Sequence, residues 1–307
     1  MSSDWPPALP YESWRATCDT LHAHTQVLGK LAVALAPPEP QLQHAALRLT
    51  ARGWETLPLP APDGSGALVV ALDLHAHEAV IEHSDGRGVR LPLSPDRAVR
   101  DVARDVMAAV RELGGAVEIN PTPQEVPWTV PLDEDDEHST YDPDQVVSYF
   151  ATATRAALVL AAFRAPYRGR STPVNAWWGS FDLAVNLYSG RPAEAPPQDF
   201  IMRNSMDAEA VAVGWWPGDS RYGTAAFFGY AHPPGAGWPG APLPSPAGRW
   251  DDALGEYLLD WDELRSSRDP HATALEFARA VFRHSCAVCG WDPALPASAE
   301  GTPPPVT

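Results

Sequence analysis

The segment that follows Trp177 holds the residue types best suited to chemistry in this sequence. Polar and apolar side chains alternate along it, as in a strand with one polar and one apolar face: Trp178, Ser180, Asp182 and Asn186 against Phe181, Leu183, Val185 and Leu187. A carboxylate among apolar neighbours can act as a general base with a raised pKa, or it can bind a ligand. The alternative is a structural Asp182 that holds backbone amides in a turn.

A second tryptophan pair, Trp215 and Trp216, ends another predicted strand, which begins near Glu209. Strand alternation places Trp178 and Trp216 on polar faces and sends Trp177 and Trp215 to the core. Indole surfaces beside a few polar groups are typical of ligand pockets. We therefore predict that Trp178 and Trp216 are walls of a pocket for a small organic molecule.

His138 and Tyr141 come just before a predicted helix that Asp142 caps. A helix N-terminus favours anions, so this is a second place where a ligand is expected. The acidic run 133–137 precedes His138 and can raise the pKa of its imidazole through charge attraction. Acidic runs are also typical of solvated loops without a function of this kind.

Histidines at even spacing occur twice. His22 and His24 are two residues apart on a predicted helix, roughly 200° around its axis, so they cannot bind one metal ion. His22 either packs against the sheet or lines a pocket. Asp73, His75 and His77 share one face if their strand stays extended, and such a face can bind Zn²⁺. The alternative is the solvated face of a half-buried antiparallel sheet.

Cys286 and Cys289 form the other metal-like spacing, but they provide two ligands where a structural zinc site needs four, and Cys18 is the remaining cysteine. A divalent metal such as zinc therefore lacks a full ligand set, and the cofactor is unknown. The predicted catalytic residues are His22, His138, Asp182 and Glu209. The predicted ligand-binding residues are Trp178, Ser180, Trp216, Tyr141 and Asn186, and the predicted metal ligands are His77 and Asp73.

Composition limits the partners. The chain has 307 residues and a formal net charge of −17, which argues against nucleic acid and anionic membranes as partners. Lys30 is the single lysine, and Ala, Pro, Gly and Arg are abundant, a bias typical of GC-rich bacterial genomes. No signal-peptide pattern is visible and no apolar run approaches the ~20 residues that span a bilayer, so we expect a cytoplasmic protein. The oligomeric state is not indicated.

Hydrophobic periodicity predicts the elements of the first half. A helix is expected over 12–36, strands over 46–58, 67–75, 79–83 and 89–93 in an antiparallel meander, a helix from the Ser94-Pro95-Asp96 cap to Gly114-Gly115, and a short strand over 116–120. The segment 121–138 is rich in Pro and acidic residues and shows no periodicity. We place a connector between two halves there.

The second half repeats the order helix, strands, helix. We expect a helix from the Asp142-Pro143-Asp144 start, strands over 176–188, 210–216 and 224–231, an irregular loop over 232–248, helices over 250–264 and 270–287, and a disordered tail over 293–307. The sequence thus predicts an α+β fold of antiparallel sheets flanked by helices, divided into 1–120, a connector 121–141, 142–292 and the tail. The similar order of the halves is compatible with a duplication, although no motif repeats.

Several motifs together resemble a known family. The segments Leu9-Pro10-Tyr11, Thr20-Leu21-His22, Thr50-Ala51-Arg52-Gly53, Trp178-Gly179-Ser180-Phe181-Asp182-Leu183-Ala184-Val185 and Trp216-Pro217-Gly218 are similar to those of the bacterial DUF5996 family, over nearly the whole chain. The family is uncharacterised, so the resemblance implies no reaction. Its pattern has a His where this chain has Asn175, another at Ala208, and a Trp pair at Ala45-Ala46. If those histidines act in relatives, this chain has a changed or lost activity.

Overall fold

A computed structural model describes residues 5–197, 199–238, 243 and 248–299. The fold is α+β with two antiparallel sheets, which confirms the predicted class. The chain divides into two compact units. The first unit consists of residues 11–150 and 175–182, and the second consists of the described parts of 1–10, 151–174 and 183–307.

The first unit is built around one long helix, α1 (Tyr11–Leu35), and a sheet. The strands of this sheet are β1 (Arg48–Leu49), β2 (Gly53–Glu55), β3 (Leu59–Pro60), β4 (Ala67–Asp73), β5 (Glu78–His83) and β6 (Gly88–Pro92). They follow the order β1-β2-β4-β5-β6, with β3 also paired to β4, and the second helix is α2 (Val99–Gly114). The predicted helix 12–36 and the antiparallel meander are confirmed.

Helix α1 is enclosed far more completely than an amphipathic pattern predicts. Every residue from Thr20 to Ala32 is buried, polar and apolar alike. An ordinary surface helix buries one stripe and leaves the opposite face in water. Polar side chains on all faces of this segment must therefore find partners inside the protein or remain unpaired.

Four predictions for the first unit are wrong. The strand predicted over 46–58 is divided into β1 and β2 by a turn in which the Thr50 amide donates to the Gly53 carbonyl at 2.8 Å. Helix α2 begins at Val99 rather than after Ser94-Pro95, because Asp96 adopts a left-handed φ of 66° that interrupts a helix. No strand forms over 116–120. Strand β4 ends at Asp73, whose carboxylate accepts hydrogen bonds from the backbone amides of His75 (3.1 Å) and Ala76 (2.8 Å) and so closes a turn.

Helix α3 (Pro143–Arg164) begins where the Asp-Pro-Asp signal predicts, and its residues 143–150 belong to the first unit. In the described part of the chain it is the one helix long and apolar enough to suit a membrane span, and half of its most apolar stretch is buried in the protein. Strand β7 (Asn175–Trp177) completes the first unit. A turn at 178–181 then interrupts the strand predicted over 176–188.

The second unit is an antiparallel sheet with helices. Its elements are β8 (Asp182–Pro192), α4 (Phe200–Ser205), β9 (Ala208–Trp216), β10 (Ala226–His232), β11 (Arg249–Asp251), β12 (Glu256–Asp260), α5 (Trp261–Arg265), α6 (Pro270–Val288) and α7 (Ala294–Ala299). The strands follow the order β11-β12-β10-β9-β8. The strands predicted over 210–216 and 224–231 and the helix over 270–287 are confirmed.

The helix predicted over 250–264 is mostly wrong, because β11 and β12 form a hairpin there and only 261–265 is helical. The carboxylate of Asp251 accepts the backbone amides of Ala253 and Leu254, and Gly255 has a φ of 72°, which together favour a turn over a helix. Residues 294–299 are helical rather than disordered. The rest of the predicted tail, 300–307, and residues 239–242 and 244–247 of the predicted loop lie outside the described residues.

Candidate functional site

Asp135 and His138 form a buried acid–imidazole pair in the loop that precedes α3. The Nδ1 atom of His138 donates to Asp135 Oδ2 at 2.7 Å, since a carboxylate accepts only. Asp135 Oδ1 also accepts the backbone amides of Glu137 and His138, each at 3.0 Å. The Asp135 side chain is 1% exposed and that of His138 is 15% exposed. This geometry fixes Nδ1 and leaves Nε2 of His138 for a ligand or a proton.

The pKa values of the pair favour the charged form of both groups. Burial by itself would lower the pKa of His138, but the hydrogen bond and charge of Asp135, with Asp19 and Glu137, outweigh burial and raise it. Burial by itself would raise the pKa of Asp135, but hydrogen bonds from His138 and from backbone amides, and the charge of His138, lower it. His138 is therefore an imidazolium over a wider pH range than a free histidine.

Trp128 lies between His138 and His22. Its ring centroid is 4.6 Å from that of His138 and 5.3 Å from that of His22, the latter edge-on at 79°. Trp128 is half-buried and stands in a segment without regular structure. Two reciprocal bonds tie this segment to α1: Gln26 Nε2 donates to the Gln124 carbonyl at 2.8 Å, and the Gln124 amide donates to Gln26 Oε1 at 2.9 Å.

Asp19 adds a second carboxyl near His138. Its side chain is 15% exposed and accepts a hydrogen bond from the Tyr11 hydroxyl at 2.8 Å. Burial raises the pKa of Asp19, although Tyr11, His138 and Arg15 oppose that change. We call Asp19, His22, Trp128, Asp135 and His138 the His–Trp cluster. It combines a histidine and a carboxyl group whose pKa values are both raised with a half-buried indole.

His22 has a structural task within this cluster. Its Nε2 donates to the carbonyl oxygens of Trp178 and Gly179, both at 3.0 Å, so that nitrogen holds the turn at 178–181. Its ring stacks on Phe181 at 4.9 Å. Phe181 in turn stacks on Trp54 (5.2 Å) and Tyr149 (5.1 Å) and has a φ of 58°, rare for a bulky residue. The Nε2 atom of His22 is thus already used by the fold.

Trp178 is buried, although strand alternation predicts a polar face for it. It is 2% exposed, whereas Trp177 is half-buried, so the predicted assignment of these two residues is wrong. The reason is that β7 ends at Trp177 and Trp178 begins a turn. The indole N–H of Trp178 donates to the Ala45 carbonyl at 3.2 Å, and its ring lies directly on Gly29.

Asp182 is a buried acid at the end of the turn at 178–181. It is 6% exposed, and the exposed Ser180 donates its hydroxyl proton to Asp182 Oδ1 across the turn. Burial raises the pKa of Asp182 to about 7, with the Ser180 bond opposing the rise. A carboxyl group that titrates near neutrality suits acid/base chemistry, but its hydrogen bond also stabilises the turn.

The predicted metal ligands are engaged elsewhere. His77 Nδ1 and the Tyr141 hydroxyl are 3.0 Å apart, and Tyr141 is buried by the packing that raises the pKa of its phenol. His77 itself has a φ of 56°, so the strand does not stay extended through it, and the shared face predicted for Asp73, His75 and His77 is wrong. Among the described residues, no group of three or more His, Cys, Asp or Glu side chains is placed to hold a metal ion.

Glu209, Trp216 and Asn186 belong to the second unit. Glu209 pairs with Arg191 at 2.6 Å and accepts the Ser189 hydroxyl at 2.8 Å. Trp216 is 8% exposed and packs against Phe228, with 5.7 Å between ring centroids. Asn186 lies half-buried on β8. Glu209 is therefore already charge-compensated by an arginine.

An open groove of about 550 Å³ lies at the start of α2 and contains none of the cluster's residues. It is lined by Ser94, Pro95, Asp96, Arg97, Asp101, Arg104 and Asp105. The guanidinium of Arg97 pairs with Asp105, so much of the groove's charge is internally compensated. The residues that line this groove include no aromatic side chain, in contrast to the His–Trp cluster.

Sequence reasoning found His22 and His138 but missed Trp128, Asp19 and the specific role of Asp135. The spacing Asp135-x-x-His138 is a usable signal, because a carboxylate three residues before a histidine can accept both its backbone amide and its ring N–H. Nothing local marks Trp128 or Asp19, since their neighbours come from distant parts of the sequence. Asn175, where the resemblance leads us to expect a His in relatives, is buried and hydrogen-bonds Arg48 and Gln43.

No curated protein matches this chain. No solved structure matches it either. One family model matches residues 5–297, nearly the whole length, and its description is a family of unknown function, DUF5996. The chain belongs to the DUF5996 family.

Proposed function

We propose that the protein binds a small organic molecule at the His–Trp cluster and that His138 acts there as a hydrogen-bond and proton donor. The observation that carries this proposal is the Asp135–His138 pair, with Nδ1 held at 2.7 Å and the side chain still 15% exposed. An imidazole oriented by a buried carboxylate and open at Nε2 is a recurring arrangement for general acid–base catalysis.

The ligand class follows from the charges of the cluster. The Asp135 carboxylate compensates the His138 imidazolium, and Asp19 lies close enough to influence the same imidazole. An added anion would meet Asp19, so an uncharged molecule fits better. Its aromatic or heterocyclic ring would stack on Trp128, and its hydroxyl or carbonyl oxygen would accept the proton on Nε2. We further propose a bacterial, cytoplasmic protein that has neither nucleic acid nor a membrane as a partner, supported by the net charge of −17.

The test is saturation-transfer NMR with a library of phenols, aryl alcohols and aryl ketones. We expect binders with the natural sequence and with His271→Gln, which changes an exposed histidine of the second unit. Trp128→Ala should lose them, and His138→Gln should weaken the ketones most. Ketone affinity should also fall as pH rises, because Nε2 carries a proton only in the imidazolium form when Nδ1–H is held by Asp135.

Two results would contradict this function. One is a library without a single binder. The other is unchanged binding in both folded cluster variants. The second candidate function is a non-catalytic interaction or structural protein, which the burial of Trp178 and Trp216 as core residues favours. Either of the two results would support this second candidate.

A further inference from the structure

Lys30 is the single lysine of the chain, and it is 5% exposed on the enclosed segment of α1. Buried lysines are rare unless a carboxylate pairs with them. Among the described residues, no ion pair and no side-chain hydrogen bond involves Lys30. Its Nζ lies over the Trp178 ring, 5.4 Å from the ring centroid, in a cation–π contact. This amine therefore differs from a surface lysine in its burial and in having an aromatic ring beside it in place of a carboxylate.

The absence of a carboxylate has a direct consequence for protonation. Burial lowers the pKa of Lys30 to about 8, and burial is the sole cause of the shift. Roughly a tenth of the molecules then carry a neutral amine at pH 7, against far less than a hundredth for an ordinary lysine. Neutral amines are nucleophiles, and desolvation in an apolar site is a common way to activate a lysine.

The Trp178 ring beside this amine is firmly placed. Its N–H donates to Ala45, its carbonyl accepts from His22, and its ring lies so close to Gly29 that a methyl group there would come within 2.0 Å of it. Glycine is thus required at position 29 for the indole to reach the helix. The result is a fixed apolar wall next to Nζ, which can pack against a small carbonyl compound.

We propose that Lys30 Nζ is a nucleophile that forms an imine with a small aldehyde or ketone held against Trp178. The nitrogen lone pair attacks the carbonyl carbon, and the carbonyl oxygen takes up a proton to give a carbinolamine. The hydroxyl group then leaves as water with a second proton, and a C=N bond replaces C=O. One water is released for each imine formed, and no oxidant or reductant is involved. The substrate must be small because little of the residue is exposed.

Lys30 is not a member of the His–Trp cluster, although His22 of that cluster holds the Trp178 carbonyl. Lys30 follows His22 by eight residues, which is about 12 Å along the helix axis. The proposal therefore goes beyond the proposed function, and either one can fail without the other.

The test traps the imine on the folded, full-length protein. The protein is incubated at pH 7 with glycolaldehyde or pyruvate and sodium cyanoborohydride, and the adducts are located by peptide mass spectrometry. Because the chain has one lysine, an adduct on its peptide is unambiguous, and the N-terminal amine is an internal control. We expect Lys30 to react at least about tenfold faster than free N-acetyl-lysine amide. The variant K30R should lose this adduct and keep that of the N-terminus.

The same reaction in urea keeps the proposal falsifiable if K30R does not fold. If Lys30 of the natural sequence reacts faster in the native protein than in urea, the result supports the proposal. Lys30 that reacts only in urea, or that stays unlabelled while the N-terminal amine reacts, overturns it.

Discussion

Replacing Asp135 by Asn tests the central pair of the candidate site. Asp135 accepts three hydrogen bonds, two from backbone amides at 3.0 Å and one from His138 Nδ1 at 2.7 Å. An asparagine keeps one oxygen for the amides but presents an N–H₂ group to the imidazole. His138 must then use Nδ1 as an acceptor, so its neutral form is favoured and its pKa falls. The loss of one charge-assisted hydrogen bond in a buried place should cost about 1.5–3 kcal/mol of the free energy of unfolding.

The pH dependence of this loss can be derived from the two shifts. The pKa of His138 is raised, so its contribution to stability is complete below the unfolded value of about 6.5 and is lost as pH rises through the folded value. The pKa of Asp135 is lowered, so its contribution is complete above about 3.9 and is lost as pH falls through the folded value. The difference between the natural sequence and Asp135→Asn should be largest between about pH 4 and 6.5.

The assay is urea denaturation at pH 5.5 and pH 9, with NMR titration of the His138 ring. Asp133→Asn is the matched control, because it removes an exposed acid two residues away and should change stability by less than about 0.5 kcal/mol. We expect a clearly smaller gap at pH 9. An equal gap at both pH values, or an unchanged pKa of His138 in Asp135→Asn, would refute the assignment of an ion pair.

Three further predictions concern the packing beside the cluster. Gly29→Ala should destabilise the protein by about 1–3 kcal/mol, measured in urea. The added methyl group would overlap the Trp178 ring, and the cost of this overlap exceeds the helix propensity that alanine gains over glycine. Asp182→Asn should gain stability relative to the natural sequence between pH 5 and pH 8, by at most about 3 kcal/mol. Its raised folded pKa, about 7, means that the native state loses stability as pH rises through that value, so a flat difference would contradict this account. Trp54→Phe should cost about 1–3 kcal/mol, seen as a lower thermal midpoint, because the buried hydroxyl of Tyr149 loses its 3.1 Å bond; a neutral result would mean that this bond contributes nothing.

The sequence predicts the elements whose signals are local. Helices α1, α3 and α6 have long apolar stripes with clear starts, and their boundaries agree within a few residues. The segment 250–264 has an equally helix-like apolar spacing but forms a hairpin, since Asp251 and Gly255 favour a turn and β12 pairs with β10. Pairing with a distant strand overrides the local helix propensity, and the hydrophobic periodicity of a segment does not reveal such pairing.

The candidate site was only half predictable because its residues come together through the enclosure of α1. The apolar stripe of this helix indicates one buried face, and His22 can be inferred at its margin. Part of the remaining surface is buried because the irregular segment 115–142 lies against it, fixed by Gln26 and Gln124, and α2 also packs on this helix. An irregular segment has no period that would show which of its side chains points inward, so Trp128 gives no signal in the sequence. Tests of function should therefore begin with substitutions in this segment rather than at the tryptophan pairs.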